Sequence, residues 1–225
     1  MRRVGSIASW PGRVLATCLI VLAALSVWVF RSPLFGENFD VVDSGRVYRS
    51  AQPAENLRNW ITNYKIVSIL NLRGGTMSDG FYRNEMRVAD ASSVALYELP
   101  MSATERPRRK DMLRMIQIFD ECRYPLLVHC KKGSDRTAFA CAVYRMIRLG
   151  ESPTEAESAF DLGHAHLPLL GPERLHEPLN EYHVWLEQRG LSHTPARFRY
   201  WVETQYRESA DHVVRVPLAL DGFSR

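Results

Sequence analysis

The chain has 225 residues, 46% of them apolar and 10% aromatic, enough for one domain with its own core and too apolar for global disorder. Its formal charge is +4 and its pI about 9.0. Only Lys65, Lys110, Lys131 and Lys132 are lysines, so the excess is mostly arginine, mild and scattered, without the concentrated stripe of a nucleic-acid binder.

In chain order, the first element is VLATCLIVLAALSVWVF, residues 14–30, uncharged and closed by Arg31. Its length is at the short end for a membrane-spanning helix and slightly long for a signal-peptide core. Trp10 and Trp28 suit the two interfaces. Arg2, Arg3 and Arg13 precede the run, whereas Glu37, Asp40 and Asp43 follow Arg31. The positive-inside rule then keeps the N-terminus cytoplasmic and exports the remainder. The expectation is a cytoplasmic stub and anchor over 1–34, with a cleaved signal peptide (small residues Ala24 and Ser26) as the alternative. Beyond the span, Cys122, Cys130 and Cys141 are odd in number and lack framework spacing.

Next, RVYRS (46–50) reads as a short strand and 54–63 as a helix. KIVSILNL (65–72), β-branched and apolar, reads as a buried strand ending at Gly74-Gly75. A helix over 81–91 leads to the strand VALYEL (94–99). Pro107 opens a helix to about 122 that buries Met112, Leu113, Met115, Ile116 and Phe119. The apolar strand PLLV (125–128) runs into HCKKGSDRT, and TAFACAVYRMIRL forms a helix stopped by Gly150. Ser152-Pro153-Thr154-Glu155 is a capping box, and helices follow over 178–189 and 195–208. Strands alternating with helices predict an α/β domain with a largely parallel sheet of about four to five strands. The domain is expected over 35–191, with 192–225 a helix and tail packed on it; Phe198, Trp201, Val202 and Tyr206 share the packing face.

The loop between strand and helix carries the chemistry. In a strand–loop–helix unit the loop amides converge on the helix N-terminus, which binds phosphate. Cys130 lies at its base, where the helix dipole and Arg136 favour the nucleophilic thiolate. Arg136 offers a planar fork for two phosphoryl oxygens, and Gly133 lets the chain turn with its amides inward. Thr137 can donate its hydroxyl to the sulfur. A cysteine with an arginine six residues later is weak alone. The apolar strand before it, His129, Gly133, Thr137 and the following helix make the match strong.

HCKKGSDRT resembles the signature of the cysteine-dependent protein tyrosine and dual-specificity phosphatases: His-Cys, five residues, then Arg-Ser/Thr. GRVYRSAQP (45–53) and ILNLRGG (69–75) resemble the small atypical dual-specificity type, over roughly 40–190. The resemblance implies the cysteine-phosphatase fold and attack of Cys130 on phosphorus to form a phosphocysteine. It implies that Arg136 holds the phosphoryl group with Lys131, Lys132, Gly133, Ser134 and Thr137 around it, that His129 supports the loop from behind, and that neither cofactor nor metal is needed. The family's upstream acidic Asp is missing, because ELPMSATERPRRKD has no Asp before Asp111. Asp135 stands within the loop, as in the myotubularin-type phosphoinositide phosphatases that Gly-x-Asp-Arg-Thr resembles. As general acid it competes with Glu105 or water, and otherwise braces the loop by pairing with an arginine such as Arg73.

The substrate is a phosphorylated protein or an inositol phosphate, free or lipid-borne. Lys131 and Lys132 either recruit a polyphosphate or are solvated. Arg106, Arg108, Arg109 and Lys110 read as a solvated helix start, Arg73 as structural, and His164 and His166 as surface residues rather than a metal pair. Two other functions are kept: a phosphate-binding module without turnover, and a sulfurtransferase or arsenate reductase on a similar loop.

Overall fold

The structure is a computed structural model and describes residues 10–29, 37–167 and 172–207. Four of five strands are parallel. In chain order the elements are helix α1 (Trp10–Val29), strands β1 (Asp40–Asp43) and β2 (Val47–Ser50), helix α2 (Leu57–Tyr64), strand β3 (Ser68–Asn71) and helix α3 (Gly80–Ala91). They continue with β4 (Ala95–Glu98), α4 (Arg109–Glu121), β5 (Leu126–His129), α5 (Asp135–Tyr144), α6 (Pro153–Ala156), α7 (Glu177–Glu187) and α8 (Pro195–Thr204). The sheet order is β1-β2-β5-β3-β4, with β1 antiparallel at the edge. This is the expected fold, with β1 the strand that the alternation of elements had not indicated. DVVD is too short and polar to show the period, and it pairs with β2 through the tight turn at Gly45.

Because β2, β5, β3 and β4 run the same way, the loops after all four gather at one edge, where ligands of open α/β sheets bind. β5 is central and wholly buried, with Leu126 and Val128 on one face and Leu127 on the other, one in each of two apolar clusters. α5 is buried at Thr137 through Tyr144 and forms the main pillar of the larger cluster. Its continuation, Arg145–Leu149, widens into a π-helical turn and stops at Gly150, in the left-handed region at φ 74°. The Ser152 capping box forms with both of its hydrogen bonds. α4 begins at Arg109, two residues after Pro107, and buries Met112, Met115, Ile116, Ile118 and Phe119.

α8 adds Phe198, Trp201 and Val202 to the same core, followed by Tyr206. α1 is a 20-residue helix with Arg13 as its one charge. Its side chains are described over 12–27, all of them exposed, and among the described residues no helix is long and apolar enough to cross a membrane. Phe30, Arg31, Arg2 and Arg3 lie outside the described residues, as does the tail beyond 207. Cys18, Cys122, Cys130 and Cys141 are unbridged. Burial pushes the Cys141 thiol up to about 11, as expected of an inert core residue.

Candidate active site

At the carboxyl end of β5 the chain leaves the sheet at Cys130 and re-enters regular structure at Asp135. Cys130 is buried, and its Sγ accepts a hydrogen bond from Gly133 N–H at 3.3 Å. Gly133 adopts φ +73°, and a Cβ there would lie 2.6 Å from Ser50 C and Ala51 N. The loop therefore packs directly on the backbone that leaves β2, and a side chain is excluded twice, by conformation and by space. Arg49, buried on β2, holds the same turn from below: Nη2 donates to Gly133 O at 2.8 Å and Nη1 to Ala159 O at 2.9 Å.

Arg136 lies on the first turn of α5. Its Nη1 donates to Leu72 O at 3.3 Å and Met101 O at 3.1 Å, so the ends of β3 and β4 orient the guanidinium. Its Nε is buried and, among the described residues, has no hydrogen-bond partner. The same is true of Thr137 Oγ1. A buried donor without a partner costs about 1–3 kcal/mol, so this edge of Arg136 is poised for an anion.

Behind the loop, His129 Nε2 meets Glu85 Oε1 at 2.5 Å, and both side chains are fully buried. Glu85 Oε2 accepts from Asn71 Nδ2 at 3.2 Å and Gln52 Nε2 at 2.9 Å. His129 thus supports the loop as expected, and Glu85 on α3 supplies the charge that the sequence did not reveal.

Arg73 is held by two side chains. Its guanidinium lies 3.2 Å over the Phe81 ring and reaches Gln52 Oε1 at 3.4 Å. Burial, and then the neighbouring Arg136 charge, hold its pKa below the ordinary arginine value. A second cation therefore stands beside Arg136. Lys131 and Lys132 are exposed on the loop; Ser134, expected at the phosphoryl group, is buried as the residue before α5.

Asp135 does not pair with Arg73. Its Oδ1 meets His166 Nδ1 at 2.8 Å. His166, expected at the surface, is 3% exposed, because Phe160 and His176 close over it with ring centroids at 4.9 Å. Glu105 is exposed and lines a recess of about 200 Å³ with Met101, Ser102, Arg106 and Asp111. Arg106 is not a solvated charge: it is buried, bound to Glu181, Glu177 and the Tyr206 hydroxyl, and it pins the loop after β4 to α7 and the C-terminal segment. Among the described residues no group of three or more His, Cys, Asp or Glu side chains is arranged to hold a metal ion.

Comparison with known proteins agrees with this geometry. Residues 28–167, more than half of the chain, match the family model described as "DSP-PTPase phosphatase fused to NAD+ Kinase". Similar solved structures include the core catalytic domain of the PP-IP phosphatase Siw14 from S. cerevisiae, bound to citrate: TM-score 0.53, 19% identity, 68% of this chain and 93% of that one. PTPMT1 matches with TM-score 0.51 and 20% identity over 68% of this chain and 98% of its own. Tk-PTP matches with TM-score 0.50 and 19% identity over 65% and 97%. At these identities the structures speak for the fold, and the family model speaks for the lineage: the chain belongs to the cysteine-dependent phosphatases of the DSP-PTPase type.

Proposed function

We propose that the protein hydrolyses phosphomonoesters through a phosphocysteine on Cys130. The observation that supports this most strongly is the fixed cradle: Cys130 Sγ accepts from the Gly133 amide, and three residues on, Arg136 holds a buried Nε that has no partner among the described residues. The thiolate attacks phosphorus as the bond to the leaving oxygen breaks. Arg136 and the loop amides neutralise charge on the equatorial oxygens, and Asp135 protonates the leaving oxygen. Water then cleaves the P–S bond and releases phosphate. Thr137, whose buried hydroxyl lacks a partner among the described residues, is the donor that eases departure of the sulfur.

For substrate we propose an inositol phosphate or phosphoinositide. Arg73 sets a second guanidinium next to Arg136, and Lys131 and Lys132 add charge at the rim, more cation than a single phosphate requires. Siw14 is a PP-IP phosphatase, and a PTPMT1 structure holds PI(5)P. A phosphate-release screen across phosphotyrosine and phosphoserine peptides, soluble inositol phosphates and phosphoinositide vesicles tests the class. Preference for a singly phosphorylated peptide overturns it.

We also propose that the N-terminal helix anchors the protein, with the catalytic domain on the non-cytoplasmic side. Supporting this are the exposed apolar surface of α1 and the bias of arginines toward its N-terminal flank. A fusion after Arg225 to a reporter active only in the cytoplasm should be silent; an active fusion reverses the orientation, and a soluble mature form starting near Val27 indicates cleavage.

A further inference from the structure

Asp135 is the end of a chain of hydrogen bonds. Asp135 Oδ1 meets His166 Nδ1, His166 Nε2 meets His176 Nε2, and His176 Nδ1 meets Glu157 Oε1, each at 2.8 Å. Phe160 stacks against both imidazoles, at 4.9 and 4.0 Å between ring centroids. Exposure rises again at the far end, to 38% for the Glu157 side chain.

Counting protons assigns the tautomers. Each of the three contacts is a hydrogen bond and needs one proton. Glu157, partly exposed, accepts the Nδ1–H of His176. With His176 neutral, its Nε2 is an acceptor, and His166 carries its proton on Nε2. The nitrogen of His166 that faces Asp135 is Nδ1. The third proton lies in the Asp135–His166 bond.

We propose that His166 stores the proton that Asp135 delivers, with His176 and Glu157 fixing its tautomer. This rests on Asp135 being the acid, as proposed above. In the first step the P–S bond forms while the P–O bond breaks. The one proton of the Asp135–His166 bond passes through Asp135 to the leaving oxygen, which leaves Asp135 a carboxylate and His166 neutral. In the second step water attacks phosphorus and the P–S bond breaks to release the thiolate. The water proton passes to Asp135 and on to His166 Nδ1, restoring the starting count. An imidazole is the side chain whose charge changes most readily near neutral pH, and a carboxylate hydrogen-bonded to it can draw on its proton. His166 is a positioning residue that acts through Asp135. Charged groups of the surrounding elements include Arg49 on β2, within 4.0 Å of Asp161, Asp161 and His164, which pair with each other, Asp40 at 3.2 Å from His164, and Glu155, Glu173, Arg174 and Glu177.

The alternative is a polar staple holding the 157–176 segment to the loop. Asparagine at 166 separates the two, since its amide donates to Asp135 but cannot store a proton. In the full-length protein, His166→Asn should slow an alkyl phosphate ~10–10²-fold, within the ~10²–10⁴ that a general acid supplies. It should slow p-nitrophenyl phosphate, whose leaving group needs no acid, far less, and should flatten the basic limb of the pH profile. Glu157→Ala, at a partly exposed position, should reproduce the same selectivity more weakly and keeps the test available if His166→Asn folds poorly. Equal losses on both substrates, or unchanged pH profiles in both variants, overturn the relay. Asp135→Asn measured alongside separates the levels. If it is selective for alkyl phosphate while His166→Asn and Glu157→Ala are not, the relay fails and the acid stands. If Asp135→Asn is unselective, both fall.

Discussion

Gly133→Ala perturbs the site without touching the nucleophile or any charge. The added methyl would lie 2.6 Å from Ser50 C and Ala51 N and 2.7 Å from Ser50 O, all backbone atoms that cannot rotate away. Holding alanine at φ +73° costs about 1–2 kcal/mol, and relieving the contact by moving the chain costs about 1–3 kcal/mol more. Together, ~2–5 kcal/mol should lower the melting temperature by roughly 5–15 °C in a domain of this size. The Gly133 amide is the donor to Cys130 Sγ and its carbonyl is held by Arg49, so the same shift misplaces the cradle. Loss of one preorganised donor is worth about 10²–10³ in rate. The assay is a thermal melt paired with p-nitrophenyl phosphate turnover, Cys130→Ser serving as the zero. A variant that melts with the wild type and keeps full activity would show that the loop does not rest on β2 and would refute the reasoning.

Other outcomes follow from separate parts of the fold. Glu85→Ala strands buried His129 and Asn71 and half-buried Gln52; removing one partner of a buried pair costs ~3–5 kcal/mol, read by chemical denaturation, and a loss under 1 kcal/mol contradicts the network. Arg106→Ala frees the loop after β4 from Glu181 and Tyr206 and, since Glu181 is partly exposed, should cost only about 1–3 kcal/mol, with proteolysis near 100–108 rising; unchanged proteolysis contradicts the pin. Burial lowers the His193 pKa despite its bond to Met146 O, so the unfolded chain binds a proton that the native state resists. Stability should therefore decline as pH falls through about 6.5, and His193→Gln should remove that component; an identical pH dependence in the variant refutes it.

The fold was legible because β3 and β5 are continuous β-branched or leucine runs bounded by glycine and polar loops, α4 carries a clear helical face, and α5 is an apolar run stopped by Gly150. The loop after β5 was legible for a local reason: Cys130, Gly133 and Arg136 share seven consecutive residues. What escaped was whatever the topology assembles from afar. Glu85 is buried mid-helix, where its position in the sequence looks like any exposed helical glutamate. Arg49 and Arg106 look solvated because a lone arginine in sequence carries no sign of the carbonyls or carboxylates that will meet it. His166 and His176 are ten residues apart with no motif between them, and only the packing of Phe160 brings the rings together. Arg73 read as a strand terminus because its neighbour Arg136 lies 63 positions on.

The central claim is a covalent phosphocysteine, and trapping it is the most direct measurement. Wild-type protein turning over a radiolabelled phosphomonoester, quenched in acid, should retain label on the single peptide containing Cys130. Cys130→Ser should retain none while still binding phosphate, because the amides and Arg136 remain. Label on another residue, or turnover by Cys130→Ser at the wild-type rate, would contradict the account.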